Sequence, residues 1–280
     1  MTQVAIVGGG EVGGLLAHAL ARRNIAADIC LIDNNGRAAL GKALDITQAA
    51  PVEGFSSNLS GATELSAIAG ASIVAIADAF GGQPPATDAS MLLLKRVRDL
   101  APASLIVCVE SGDRDLIDRG VRELHVPRAQ LLGSAPEALT GGIRALTAIE
   151  LDAPASDVAL SALGVPPNHI IVPWDDATVG GFSLVRVLSE PARRRLDARI
   201  AGLWPPGPYA LAAAAARAID TIFRESRRLV TCFVAPDDSA GMRARAAALP
   251  VRLGRPGVIE VVMPELSVRE RVRLENAMML

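Results

Sequence analysis

Two hydrophobic rhythms divide the chain. Up to about residue 133, short continuous apolar runs alternate with stretches of helical periodicity. The runs are QVAIVG (3–8), DICLID (28–33), SIVAIAD (72–78), LIVCVE (105–110) and QLLGS (130–134), and the helical stretches include EVGGLLAHALARR (11–23) and TDASMLLLKRVRDL (87–100). A run that is apolar at nearly every position suits a strand buried on both faces. Alternation of such strands with helices predicts a parallel, right-handed wound sheet under helical cover. Beyond residue 133 the order changes. Helical stretches at 140–150, 184–202 and 208–227 come first, then the strand-like LVTCFVA (229–235), ALPVRLG (248–254) and GVIEVVM (257–263), and then the charged helix SVRERVRLENAM (267–278). The pattern predicts an α/β, doubly wound domain over 1–133 and an α+β domain over 134–280.

Composition narrows the class. Half of the 280 residues are hydrophobic but only 3% are aromatic, so the core is expected to be aliphatic. The net charge is −2 and no long basic run exists, which argues against a nucleic-acid surface. No apolar run reaches the roughly 18 residues that span a bilayer; the small-residue tract ALAAAAARAID (210–220) is interrupted by Arg217 and Asp220. The N-terminus enters a strand at once, without the basic and apolar regions of a signal peptide, so a cytoplasmic location is expected. Cys30, Cys108 and Cys232 are odd in number, lack CxxC spacing and sit in apolar runs. Buried free thiols are therefore expected.

The first chemical signal is Gly8-x-Gly10-x-x-Gly13, directly after the first strand and opening a helix. Gly8 would permit the tight turn, Gly10 the approach of a pyrophosphate, and Gly13 close helix–strand packing. Glu11 and Val12 open the helix, whose N–H groups and dipole favour phosphate. Asp33 follows Gly13 by twenty residues at the end of the second strand, where a carboxylate can accept both ribose hydroxyls and repel a 2′-phosphate. These residues, with Asn34 beside Asp33 and with Ala77 and Asp78 at the end of the strand at 72–78, make up the expected NAD site. A glycine-rich turn without a ligand is the plain alternative. Asp78 would either weaken dinucleotide binding or bond to backbone. His18 and His125 read as structural, and Asp175 and Asp176 in WDDA as a solvated loop with no metal.

Longer motifs carry a family resemblance. GKALDITQAAP (41–51), IAGASIVAIADA (68–79), VGG (179–181) and LPVRLGRPGVIEVVMPELSVRERVRL (249–274), with the glycine fingerprint, resemble the lactate/malate dehydrogenase family in order and spacing over nearly the whole chain. The resemblance implies an N-terminal NAD-binding Rossmann domain, a C-terminal catalytic domain and a homo-oligomer, dimer or tetramer. Neither a nucleic acid nor a membrane is implied as a partner.

The family's reaction passes a hydride between nicotinamide and a small 2-hydroxy or 2-oxo acid. It needs an acid/base, a carboxylate to orient it, and cations for the substrate. The resemblance places the acid/base histidine on Pro167, the orienting aspartate on Leu139, the carboxylate-binding arginine on Gly142 and an asparagine on Ser111. The closing loop falls on GGQPPATDASMLLL (81–94), which holds no arginine or lysine. Loss of acid/base help alone lowers a rate on the order of 10²–10⁴-fold. An apolar, uncharged nicotinamide end is expected, around Leu139, Gly142 and Pro167.

A relocated pair is the counter-reading. His169 is two residues after Pro167 and Glu137 two before Leu139, so on an extended segment His169 would lie roughly 7 Å along from the lost position. Arg144, two residues past Gly142, would be turned about 200° away on a helix. Three functions remain open at this point: a dinucleotide-binding homologue without hydride transfer, an active NAD-dependent oxidoreductase with a site rebuilt on His169 and Glu137, and a structural homologue without cofactor.

Overall fold

The strand runs of the first half become adjacent rows of one sheet because their side chains are apolar on both faces. The computed structural model describes residues 3–78, 80, 87–237 and 244–280. In chain order the first elements are β1 (Gln3–Val7), α1 (Glu11–Arg22), β2 (Asp28–Ile32), α2 (Gly36–Glu53), β3 (Asn58–Ala62), β4 (Ile73–Ile76), α3 (Thr87–Leu100), β5 (Leu105–Cys108), α4 (Arg114–Arg122) and β6 (Leu131–Gly133). They pair in the order β3-β2-β1-β4-β5-β6, all parallel. Every residue of β4 and β5 is buried. The order reverses direction between β1 and β4, which opens a crevice at the carboxyl ends of these two strands, where such sheets bind ligands.

The second half continues as α5 (Ala135–Leu151), β7 (Val158–Ala159), β8 (Leu163–Val165), β9 (His169–Ile171), β10 (Thr178–Val179), β11 (Phe182–Ser183), α6 (Leu184–Val187), α7 (Glu190–Ile200), α8 (Pro208–Arg224), β12 (Leu229–Val234), β13 (Ala247–Gly254), β14 (Gly257–Val261) and α9 (Val268–Met278). The sheet does not stop at β6. It runs on antiparallel through β12, β13, β8 and β9, with β14 beside β13, and a small sheet of order β11-β10-β7 stands apart. The joint is Phe233 of β12 opposite Gly133 of β6. A side chain at Gly133 would meet Ile117 at 2.6 Å and Phe233 at 3.1 Å, so only glycine lets β12 dock here. Phe233 is 1% exposed and meets Trp204 edge-to-face at 5.9 Å. Trp204 also packs on a second apolar cluster that includes Leu139, Ile143, Trp174, Leu184 and Leu196.

The elements differ from the sequence pattern where polarity hid them. β3 (NLSGA) is a polar edge strand, and α2 shows only three buried residues, Ala39, Ala43 and Ile46, so neither has a clear apolar rhythm. α4 also lay unmarked between two strands. α5 begins at Ala135 rather than 140, because Pro136 suits a first helical turn and the polar Glu137 turns inward. The single helix expected over 184–202 is two, α6 and α7. Ser189 interrupts them and accepts the N–H of Ala192 with its hydroxyl, a cap for the new helix. All three cysteines are buried and free, as their apolar settings suggested. No helix among the described residues is long and apolar enough to cross a membrane.

Phe233→Ala should lower the unfolding free energy by about 3–5 kcal/mol. Urea unfolding followed by circular dichroism measures it.

Candidate functional site

The turn from β1 into α1 is built on backbone that only glycine allows. Gly8 has a φ of +99°, and a Cβ on it would lie 2.5 Å from the carbonyl oxygen of Asp78. A Cβ on Gly13 would lie 2.0 Å from the carbonyl of Gly8, so the helix can pack this closely on the strand only without side chains. Asp33, 5% exposed, braces the turn from the end of β2. Its Oδ2 accepts the N–H of Gly9 at 2.7 Å, and its Oδ1 the N–H of Asn35 at 2.8 Å. Each carboxylate oxygen has a second lone pair, so capacity for a ribose hydroxyl remains. Asn34 next to it is exposed. Lys42 of α2 reaches over Gly14 and donates to the carbonyl of Gly9 at 2.6 Å and to that of Gly10.

The first N–H groups of a helix have no partner within it. Gly10, the cap residue of α1, offers no side chain. The acceptor comes from across the crevice. Asp78, two residues beyond β4, accepts the N–H of Gly13 at 2.6 Å with Oδ2 and that of Val12 at 3.3 Å with Oδ1. A Cβ on Gly10 would lie only 2.4 Å from Oδ1 of this carboxylate. Ala77 before it is fully buried, its N–H given to the carbonyl of Val7. Glu11 is exposed at the helix start. The second of the two outcomes foreseen for Asp78, backbone bonding, is therefore realised.

The glycine geometry fits a dinucleotide, and a carboxylate of the protein stands against Gly10 and the first amides of α1. Glu110, two residues beyond β5, adds to this negative charge, and Asp113 lies against Glu110. Desolvation pushes the Asp78 carboxyl up, against the N–H groups of Gly13 and Val12 and the charge of Lys42. Desolvation and then the charge of Asp78 raise Glu110. Asp113, which accepts the N–H of Glu110 at 2.9 Å, is pushed up to about 7, chiefly by desolvation.

The positions that the resemblance assigns to chemistry do not converge. Leu139 is 2% exposed, inside the second apolar cluster. Gly142 faces Leu203, 3.3 Å from where its Cβ would stand, and lines a cavity of about 690 Å³ between α5 and α8. Pro167 is exposed and lines a different cavity, of about 570 Å³, with Asn168, Arg193, Asp197, Arg269 and Arg273. Ser111 is half-buried beside Glu110. The expectation of one apolar, uncharged pocket is thus corrected. Leu139 is core, and the two cavities that Gly142 and Pro167 line are rich in arginine. Residues 81–86 of the expected closing loop lie outside the described residues.

The relocated pair is not brought together as a dyad. Glu137, 4% exposed, has Oε1 at 3.4 Å from Nη1 of Arg144 and 3.0 Å from Nε of Arg217, while Oε2 accepts the N–H of Thr231 at 2.9 Å. His169 is exposed on β9, the edge of the large sheet, backbone-paired with Val165. Arg144 does not face away from Gly142, as helical geometry from the Cα positions suggested. Two helical turns separate it from Glu137, its long side chain follows that stripe, and both it and Gly142 line the larger cavity. His18 rests 3.0 Å from Glu53, and Asp175 and Asp176 are exposed.

Comparison with known proteins now bears on this crevice. Residues 2–93 match the family model described as lactate/malate dehydrogenase, NAD binding domain. Similarity to malate and lactate dehydrogenases extends beyond that match over nearly the whole chain. Malate dehydrogenase of Flavobacterium johnsoniae is 26% identical over 96% of this chain and 93% of that protein. That of Thioalkalivibrio sulfidiphilus is 26% identical over 99% and 96%. Among solved structures, malate dehydrogenase from Salinibacter ruber superposes with a TM-score of 0.89 at 23% identity, covering 99% of this chain and 94% of that one. The lactate dehydrogenase from Cryptosporidium parvum complexed with lactic acid and nicotinamide adenine dinucleotide gives 0.90 at 20%, with the same coverage. The family fold, a Rossmann sheet followed by the α+β C-terminal half, is therefore present throughout.

Sequence reasoning passed over Lys42, Glu110, Asp113 and Arg217. Lys42 sits inside a motif noted only for its resemblance, and Arg217 was read only as breaking an alanine tract. The seven-residue spacing from Glu137 to Arg144 was a usable signal for part of the buried cluster.

Glu137→Gln leaves both arginines facing a neutral amide. It should lower stability by about 3 kcal/mol, near the low end for a broken buried ion pair because Arg217 is 40% exposed; thermal denaturation reads this. Asp113 titrates in the opposite sense to a salt-bridged acid. Its folded-state pKa lies above the unfolded value, so its contribution to stability is present at low pH and is lost as pH rises through about 7. The melting temperature of Asp113→Asn should gain on that of the parent between pH 6 and pH 8.

Proposed function

We propose that this chain binds NAD and does not perform the hydride transfer of its family. The observation that carries this reading is the dispersal of the reaction's expected positions. Leu139 is sealed in a core, Gly142 abuts Leu203, and Pro167 opens on a separate cavity. A proton-transfer group, an orienting carboxylate and an arginine have to meet at one nicotinamide ring, and among the described residues Gly142 and Pro167 bring no such side chains and line two different cavities. The dinucleotide half of the reading rests on the glycine turn at Gly8, Gly10 and Gly13, on the amides of α1 at Val12 and Gly13 behind Glu11, and on Asp33 with Asn34 beside it. Ala77 and Asp78 form the opposite wall of the crevice. NAD, when bound, would supply a hydride site, while this chain supplies the cradle.

The alternative, an oxidoreductase rebuilt on Glu137 and His169, is disfavoured. Glu137 is held by two arginines and a backbone amide, and His169 lies in solvent on an edge strand. A role in assembly, as a homo-oligomer or non-catalytic subunit, is supported by apolar side chains left open on α2 and on α5. Leu40 and Leu44 of α2 are 56% and 60% exposed, and Ile149 of α5 is 75% exposed. A cytoplasmic setting agrees with three free thiols.

NADH titration followed by fluorescence should give saturable binding. Steady-state assays with oxaloacetate, pyruvate and other 2-oxo acids should give no turnover approaching about 1 per second. Turnover at that rate, abolished by His169→Ala, would replace this reading with the rebuilt enzyme.

A further inference from the structure

The structure assigns to Asp78 the part of an internal stand-in for the dinucleotide's pyrophosphate, so that this one side chain sets the affinity of the site. The inference rests on the reading that the crevice takes NAD. Three observations meet on it. The amide groups of Val12 and Gly13, which lie at the helix start where a phosphate would bond, already donate to the Asp78 carboxylate. The carboxylate also fills the space against Gly10, the glycine whose bare backbone would let a pyrophosphate approach. Asp78 is aimed into the crevice from the opposite side of the switch point, so its contact is tertiary and not a local cap.

The groups that face Asp78 decide how it responds. From α2, Lys42 is the cation, and it is tied to the carbonyls of Gly9 and Gly10. From β2 and β5, Asp33 and Glu110 are acids that repel it. An incoming diphosphate carries the same sign as these three carboxylates. It must displace Asp78 from two amides and then share the crevice with it. In the absence of dinucleotide the same contact satisfies N–H groups that would otherwise have no acceptor. The side chain thus supports the empty site and opposes the filled one.

Asp78→Ala separates these effects. By equilibrium fluorescence titration the variant should bind NADH about tenfold or more tightly than the parent. Without NADH it should unfold at a lower temperature than the parent, and saturating NADH should raise its melting temperature by more than it raises the parent's. Should the alanine variant misfold, Asp78→Asn carries the same test, since it keeps shape and an acceptor but loses the charge. A folded variant that binds NADH no better than the parent overturns the stand-in while leaving the NAD reading intact. No saturable binding by parent or variant at millimolar NADH overturns both.

Discussion

The amide groups that open α1 need an acceptor, and everything around the crevice is arranged by which acceptor they have. Gly10 cannot supply one, so the helix start would be left with bare N–H groups and a positive dipole end. In this chain Asp78 meets that need from across the sheet, and Asp33 braces the turn from the other side. Lys42 draws in the carbonyls that the tight turn leaves outward. The loop is thereby a closed set of charge-assisted bonds rather than an open cradle. Such bonds are stronger than neutral ones, and they tie the turn to β2, α2 and the end of β4.

The same logic operates at the joint between the two halves. α5 carries a carboxylate, Glu137, into the interior, where it meets Arg144 from its own helix, Arg217 from α8 and the backbone of β12. A carboxylate this buried is tolerable only when paired and bonded. Its partners come from two helices and a strand, so the cluster fixes how they sit together. Beside it, Gly133 and Phe233 let the parallel sheet continue as an antiparallel one without a gap. On the same helix Leu139 enters the second apolar cluster and Gly142 lies against Leu203.

Legibility followed polarity. Strands apolar on both faces, such as β1, β4 and β5, were evident because continuous burial leaves a continuous apolar run. β3 and α2 were not, since one is a polar edge strand and the other buries only a narrow alanine-lined stripe. In the site, Gly8, Gly10, Gly13 and Asp33 could be named from spacing, because a tight turn constrains neighbours in sequence. Glu110 and Asp113 could not, as their altered titration arises chiefly from burial, with the charge of Asp78 from across the crevice adding to that of Glu110 and the charge of Glu110 to that of Asp113.

The sequence by itself determined the alternation of buried strands and helices in the first half, the glycine turn and the non-ionisable residue types at Leu139, Gly142 and Pro167, all of which depend on residue type and local spacing. Only the tertiary structure decided that Asp78 occupies the helix start, that Glu137 is captured by arginines and lies apart from His169, and that Gly142 and Pro167 open on different cavities. The reason is distance. Hydrogen bonds and ion pairs act over a few ångströms, and Asp78 lies 65 residues from Gly13 while Glu137 lies 94 from Thr231. Only the fold brings these partners within that range.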